Sequence, residues 1–266
     1  MNKLPFSENV VIITGASSGI GEHLALRLAS QGAWLALAAR NAGQLEGVAD
    51  QCRQRGGKAV AIPTDVAEQD QCKDLIERTM REYGRIDTLV NNAGITPASR
   101  FTRLRDLTLF EKVIQVNFFG SVYCTYHVLP HLKETRGRLA AICSLRGKLP
   151  STRADGYGAS KHAMAEFFQS IRMEIASSGV SVTIIYPGWV STGITSRSIK
   201  ADGSPTGKIA KIEESAMPVD TCTRIIAEAV AKRKREVVMT LGGKMGLWLL
   251  LIAPKIADTF IRKNMG

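Results

Sequence analysis

The sequence predicts an α/β fold: a single doubly wound, mostly parallel sheet of about seven strands, with a short helical extension at the C-terminus. Three observations predict it. Strand-like apolar runs alternate with helix-like stretches from end to end. The runs are continuous rather than alternating in polarity, as strands covered on both faces require. Glycines mark the ends of the helix-like stretches. Such alternation places helices on both sides of one sheet.

The elements follow in order. Val10-Val11-Ile12-Ile13 opens the first strand, 10–14, and Ile20, Leu24 and Leu28 then share one helical face that stops at Gly32. A second strand reads at 33–39, and Gly56-Gly57 closes the helix after it. The third strand is 58–62; Leu75, Ile76 and Met80 form the next helical face, ended by Gly84. Strands at 86–90, 138–143 and 180–186 follow, with Ile171 and Ile175 on the helix that Gly179 terminates. The last strand reads at 236–241. No repeat, linker or composition break divides the chain. Residues 1–244 therefore read as one domain, and 245–266 as an apolar and basic extension of it. Within the domain, 190–217 is rich in Ser, Thr, Gly and Pro and follows a strand end, which predicts a flexible lid over a ligand site.

Composition narrows the function classes. The 266 residues are 45% hydrophobic and 22% charged, which suits a globular protein with a sizeable core. The five cysteines are odd in number and lack metal-ligand spacing, so they read as reduced thiols of a cytoplasmic protein. His23, His127, His131 and His162 do not cluster with cysteines or carboxylates, and no metal site is expected. Met1 to Pro5 contains no apolar signal region. The net charge is +11, concentrated toward the C-terminus. The run Lys232-Arg233-Lys234-Arg235 reads as the solvated end of a helix starting near Pro218 rather than a nucleic-acid patch, because no aromatic residues interleave it.

The chemistry starts at Thr14-Gly15-Ala16-Ser17-Ser18-Gly19-Ile20-Gly21, between the first strand and the first helix. Glycine there allows a turn that a Cβ would block, and a helix N-terminus offers free N–H groups to a pyrophosphate. Further on, Tyr157 and Lys161 are four residues apart, on one helical face. A free phenol is too weak an acid to be a base at neutral pH, and a neighbouring ammonium favours the phenolate. Such a pair can pass a proton to or from a substrate oxygen. Ser144 ends the run Leu139 to Cys143, Asn91-Asn92-Ala93-Gly94 ends the run Ile86 to Val90, and Asn117 is a polar residue in an apolar helical stretch.

In this order and spacing, with Pro187-Gly188 added, these elements resemble the short-chain dehydrogenases/reductases over about 10–192. The resemblance implies a Rossmann fold and an oxidoreductase that moves a hydride between a nicotinamide cofactor and a carbonyl or secondary alcohol. It implies that Tyr157 is the general acid/base, that Lys161 holds the nicotinamide ribose and depresses the Tyr157 pKa, that Ser144 hydrogen-bonds the substrate carbonyl, and that Asn117 supports a water linked to Lys161. It places the cofactor along Gly15, Ser17, Ser18, Gly19, Ile20, Gly21, Arg40, Asp65, Val66, Asn92, Ala93, Gly94, Pro187, Gly188, Val190 and Thr192. Two departures stand out. Cys143-Ser144 replaces a common serine pair, and Arg146 occupies a position often small, where it would crowd or charge the pocket mouth.

At the end of the second strand, Ala39 stands where an NAD-binding carboxylate is expected, with Arg40 beside it; this predicts NADP(H) over NAD. Met245 to Ala253 is apolar all round and too short to span a bilayer. Two readings stand open for it: closure of the pocket or a dimer contact, and peripheral contact with the inner face of a membrane through 245–263, as in membrane-associated hydroxysteroid dehydrogenases. Either favours a lipophilic substrate. The resemblance implies a homodimer or homotetramer. Two alternatives remain, a 3-oxoacyl-type reductase of the same family and a non-catalytic NADP(H)-binding sensor or scaffold. A sensor would be expected to lack the Tyr or the Lys, and both are present.

Overall fold

A computed structural model describes residues 4–97, 101–104, 106–150, 155–200, 204, 206–207, 211 and 215–264. Seven strands form one parallel sheet: β1 (Val10–Thr14), β2 (Trp34–Ala39), β3 (Lys58–Pro63), β4 (Thr88–Asn91), β5 (Arg138–Ile142), β6 (Ser181–Tyr186) and β9 (Glu236–Val238). Their order across the sheet is β3-β2-β1-β4-β5-β6-β9. The direction of winding reverses between β1 and β4, which pair in parallel through Val11–Thr88 and Ile13–Val90. A reversal of this kind opens a crevice at the carboxyl ends of the strands. The doubly wound fold expected from the sequence is the one observed.

Both faces of the sheet are covered. Val10 and Ile12 of β1 pack on one side with Leu75, Ile76, Leu139 and Phe168, under α3 (Gln69–Tyr83), α5 (Gly120–Thr135) and α6 (Asp155–Glu174). Val11 and Ile13 pack on the other with Leu24, Leu35, Leu45 and Ile226, under α1 (Gly19–Ala29), α2 (Ala42–Gln54) and α7 (Val219–Ala231). One strand feeds two cores because successive side chains point to opposite faces. α4 (Thr108–Ile114) runs through a π-helical turn, Gln115–Phe119, into α5. A second, two-stranded sheet pairs β7 (Val190–Ser191) with β8 (Met217–Pro218).

Some boundaries differ from the sequence reading for local reasons. The last strand ends at Val238 because Thr240 caps the next helix, its Oγ1 accepting from Gly243 N at 3.1 Å. That helix is α8 (Leu241–Ile252), and α9 (Pro254–Asn264) follows. The basic run after α7 is not simply a solvated end. The Arg233 guanidinium donates to the carbonyls of Arg136, Gly137 and Gly179, stapling three loops beneath the sheet. Of the expected lid, 201–203, 205, 208–210 and 212–214 lie outside the described residues. The described remainder is tied in place: Ile199 N donates to Thr96 O at 3.0 Å, and Gly207 N donates to Ser196 O at 2.9 Å.

Candidate active site

The glycine turn is fixed by the strand beside it. Thr14 Oγ1 accepts from Asn92 N and Ala93 N, each at 3.0 Å, and Asn92 Nδ2 donates to Thr14 O at 2.8 Å and Gly15 O at 3.2 Å. Gly15 has φ +66°, and a Cβ there would lie 2.8 Å from Ala93 Cα. Gly21 is tighter: a Cβ would lie 2.3 Å from Gly15 O. The N-cap of α1, Ser18, makes no side-chain cap hydrogen bond, so the first N–H groups of the helix face the crevice open. Together these form a cradle for a phosphate.

The crevice has a volume of about 540 Å³. Gly15, Ser17, Ser18, Gly19 and Ile20 line one end, with Ala39, Arg40, Asp65 and Val66 beside them. Asn92, Ala93 and Gly94 continue the lining, with Ser144, Tyr157, Lys161, Pro187, Gly188 and Val190, while Thr192 lies against Gly19. The charged lining is four cations, Arg40, Arg146, Lys161 and Arg197, against one carboxylate, Asp65. That balance and the open helix terminus fit a polyanionic dinucleotide.

Ser144 lies two residues past the end of β5 and caps a short 3₁₀ turn, Leu145–Gly147, its Oγ accepting from Arg146 N at 3.2 Å. The Tyr157 side chain lines the same crevice as Ser144. Burial pushes the Tyr157 pKa above its ordinary value; the Ser144 hydrogen bond and the Arg146 guanidinium pull it down, and Cys143 raises it. Lys161 is 2% exposed, and burial lowers its pKa. Its ammonium donates to Ile142 O at 2.9 Å and lies 5.9 Å from the Tyr157 ring centre. Burial is the largest influence on the Tyr157 pKa, and Ser144 and Arg146 supply the opposing pull. Cys143 is inert as a thiol, since burial raises it to about 12.

Two expected contacts lie behind the wall rather than in the crevice. Gly21 packs under Gly15 and does not line the cavity, so it supports the turn instead of touching a ligand. Asn117 sits in the π-helical turn, fully buried. Its Oδ1 accepts from Ile95 N at 2.8 Å, and its Nδ2 donates to Ile95 O and to Ser160 Oγ, both at 3.0 Å. Asn117 is thus a positioning residue that ties the strand-end loop to the Tyr157 helix. Asn91 turns away, donating to Thr125 Oγ1 on α5.

Sequence reasoning missed several lining residues, among them Trp189, Arg197 and Thr96. Trp189 follows Pro187-Gly188 and stacks on Arg146, whose guanidinium carbon lies 5.1 Å from the ring centre. Arg197 donates to Thr192 O at 2.9 Å, and a Cβ on Gly19 would lie 3.3 Å from Arg197 Nη2. Thr96 meets Ile199 across the mouth. Among the described residues, no group of three or more His, Cys, Asp or Glu could hold a metal ion.

A glycine turn at a winding reversal, with a Ser-Tyr-Lys set across the crevice, defines a dinucleotide-binding oxidoreductase of Rossmann type. The comparisons make this specific. The family model for short chain dehydrogenase matches residues 9–203. The chain belongs to the short-chain dehydrogenase/reductase family. It is 36% identical over 256 residues to an Arabidopsis thaliana protein named 11-beta-hydroxysteroid dehydrogenase-like 4A, covering 96% of this chain and 84% of that one. An 11-beta-hydroxysteroid dehydrogenase A of Sesamum indicum is 33% identical over 267 residues, with 97% and 76% covered. Among solved structures, an alcohol dehydrogenase of Thermococcus sibiricus complexed with 5-hydroxy-NADP superposes with a TM-score of 0.75 at 26% identity, covering 87% of this chain and 95% of that one. A Burkholderia phymatum short-chain dehydrogenase/reductase in complex with NAD gives 0.83 at 21% identity, with 96% of each covered; at that identity it supports the fold alone.

Proposed function

We propose that the protein is an NADP(H)-dependent reductase or dehydrogenase acting on a carbonyl or secondary alcohol of a lipophilic substrate. The observation that carries the reading is that Ser144, Tyr157 and Lys161 line the same crevice as the glycine turn and the open N-terminus of α1. When bound, the nicotinamide supplies or accepts the hydride. Gly15, Ser17, Ser18, Gly19 and Ile20 hold the pyrophosphate, Asp65 and Val66 meet the adenine, and Asn92, Ala93 and Gly94 line the path between. Pro187, Gly188, Val190 and Thr192 bound the nicotinamide end. Ser144 orients the substrate oxygen, and Tyr157 gives that oxygen a proton or takes one from it. A phenol held above its ordinary pKa is protonated at neutral pH, which suits donation in the reductive direction. Lys161, beneath Tyr157, holds the ribose.

NADP(H) is favoured over NAD because β2 ends in Ala39 and an exposed Arg40, with no carboxylate for a ribose 2′-hydroxyl. Equal kcat/KM with the two cofactors would defeat this preference. A lipophilic substrate is supported by Leu145, Trp189, Ile194 and Ile199 in the lining and by the hydroxysteroid dehydrogenase names of the relatives. Residues 1–244 act as the catalytic domain, with 190–217 as lid over the substrate end and 245–266 as an extension of the same domain. No helix among the described residues is long and apolar enough to cross a membrane. The exposed apolar face of α8, with exposed Lys244 and Lys255 beside it, supports peripheral contact with an anionic membrane surface. Exposed Tyr126 on α5 and Met173 on α6 support pairing with a second copy of the chain.

The test is Tyr157→Phe. Ketone reduction should fall by about 10²–10⁴-fold, the contribution of a positioned proton donor, while cofactor binding measured by fluorescence titration stays near wild type. Wild-type-like reduction by this variant refutes the assigned role.

A further inference from the structure

Among the described lining cations, Arg146 is the one that the dinucleotide leaves unexplained. Arg40 and Arg197 lie at the ribose-phosphate end, and Lys161 lies under Tyr157. Arg146 lies two residues past Ser144, on the substrate side, half-buried against the Trp189 ring. A guanidinium carries five N–H donors and no acceptor. No carboxylate among the described residues forms an ion pair with it, whereas Lys148 on the same loop is paired with Glu236 at 2.9 Å. Burial lowers the Arg146 pKa and Tyr157 opposes that effect. A half-buried, unpaired charge costs stability unless something that binds there answers it. A guanidinium held over an aromatic ring can still present two parallel N–H groups from its edge to a planar anion.

We propose that Arg146 and Trp189 form an anion subsite, and that the substrate carries a carboxylate-type group in addition to its reacting carbonyl or hydroxyl. Trp189 holds the guanidinium plane, and Arg146 takes the carboxylate by a two-pronged hydrogen bond. The apolar lining from Ile194 and Ile199 accommodates the carbon chain between the two polar ends. The substrate class is then an amphiphilic keto or hydroxy acid. This rests on the reading of Ser144 and Tyr157 as the reacting end.

The experiment uses full-length protein with NADPH and a series of keto acids graded in chain length, each paired with its methyl ester. At the best length, kcat/KM for the acid should exceed that for the ester by about ten- to a hundredfold, expressed mainly in KM. Arg146→Gln should bring the acid-to-ester ratio near one, and Arg146→Lys should restore part of it. A wild-type ratio near one, or a ratio unmoved by Arg146→Gln, overturns the proposal. Calorimetric titration of the same acids into the protein with NADP⁺ separates this from the reading beneath it. Acid binding that requires Arg146, without turnover of any ketone, supports the subsite and sinks the oxidoreductase role of Tyr157. Acid binding indifferent to Arg146 sinks the subsite.

Discussion

Two regions of this chain run against the ordinary preference for water, in opposite senses. Under the sheet, Lys161 carries an ammonium into a site where it is 2% exposed. At the C-terminus, α8 presents Trp248 at 69% and Leu251 at 80% exposure. The remaining apolar interior behaves normally: Val10, Val11, Ile12 and Ile13 are all completely buried. α8 is at least as apolar by sequence, yet only Gly243 among its residues is buried. Gly243 and Gly246 let it sit against Leu145 and Leu149, next to the Ser144 loop, and among the described residues nothing buries Met245, Trp248, Leu251 or Ile252. Composition alone therefore does not decide burial; the presence of an opposing layer does. A fold that tolerates two such departures near one crevice is holding groups for use rather than for stability.

The comparison breaks most visibly under truncation. Phe168 is fully buried in the sheet core, and Phe168→Ala should cost about 3–5 kcal/mol. Trp248→Ala removes a larger ring but should change stability by less than about 0.5 kcal/mol, as for an exposed site. Urea unfolding of both variants checks this. A Trp248→Ala cost near that of Phe168→Ala would show α8 to be a packed element and remove the contrast.

Lys161→Met tests the buried cation. Burial lowers the folded-state pKa of Lys161, so the unfolded chain binds this proton more tightly than the folded one. The Lys161 contribution is thus unfavourable at neutral pH and is relieved as pH rises through the folded pKa toward the unfolded one. Replacing it with an apolar side chain should raise the cofactor-free Tm by about 2–4 °C, the shift for about 1 kcal/mol in a chain of this size, even though the bond to Ile142 O is lost. Ketone reduction should fall by about 10²-fold or more. A variant that is less stable and still active would show that Lys161 serves the fold.

The same contrast separates what could be read from the sequence from what could not. The glycine turn, Ser144 and the Tyr157–Lys161 pair were legible because their chemistry depends on local spacing: a turn, a strand end, one helical face. Strand positions were legible because burial on both faces writes unbroken apolar runs. What depends on distant parts of the chain was not. The staple from Arg233 reaches carbonyls 54 to 97 residues away. Lys161 directs its ammonium to Ile142 O because β5 ends there, which spacing within α6 cannot reveal. The burial that raises the Tyr157 pKa was not legible either, since desolvation is set by the whole neighbourhood. Asn117 read as a polar residue in an apolar stretch, but its π-helical turn and its bonds to the Ile95 backbone needed three dimensions.

A smaller effect sharpens the exposed side. Leu251→Glu should leave unfolding nearly unchanged and reduce partitioning onto phosphatidylcholine vesicles containing phosphatidylglycerol by about tenfold, the loss of roughly one buried apolar side chain. Sedimentation of the vesicles reads it. Equal pelleting of variant and wild type would leave the α8 face to a second copy of the chain, which light scattering at graded concentration would register.

The smallest effect concerns the buried side again and is one of direction. Alcohol oxidation needs Tyr157 as phenolate. Burial holds its pKa above the ordinary value, with Cys143 raising it further, while Ser144 and Arg146 oppose. The oxidative kcat/KM should therefore keep climbing with pH through the alkaline range, while reduction, which uses the protonated phenol, holds steady at neutral pH and declines only where oxidation rises. Arg146→Gln removes one of the two opposing influences. Its alkaline limb should move to higher pH in oxidation of a neutral alcohol, a substrate that gives Arg146 no anion to bind. A limb that stays in place would mean that Arg146 does not act on the phenol and that Ser144 alone opposes burial there.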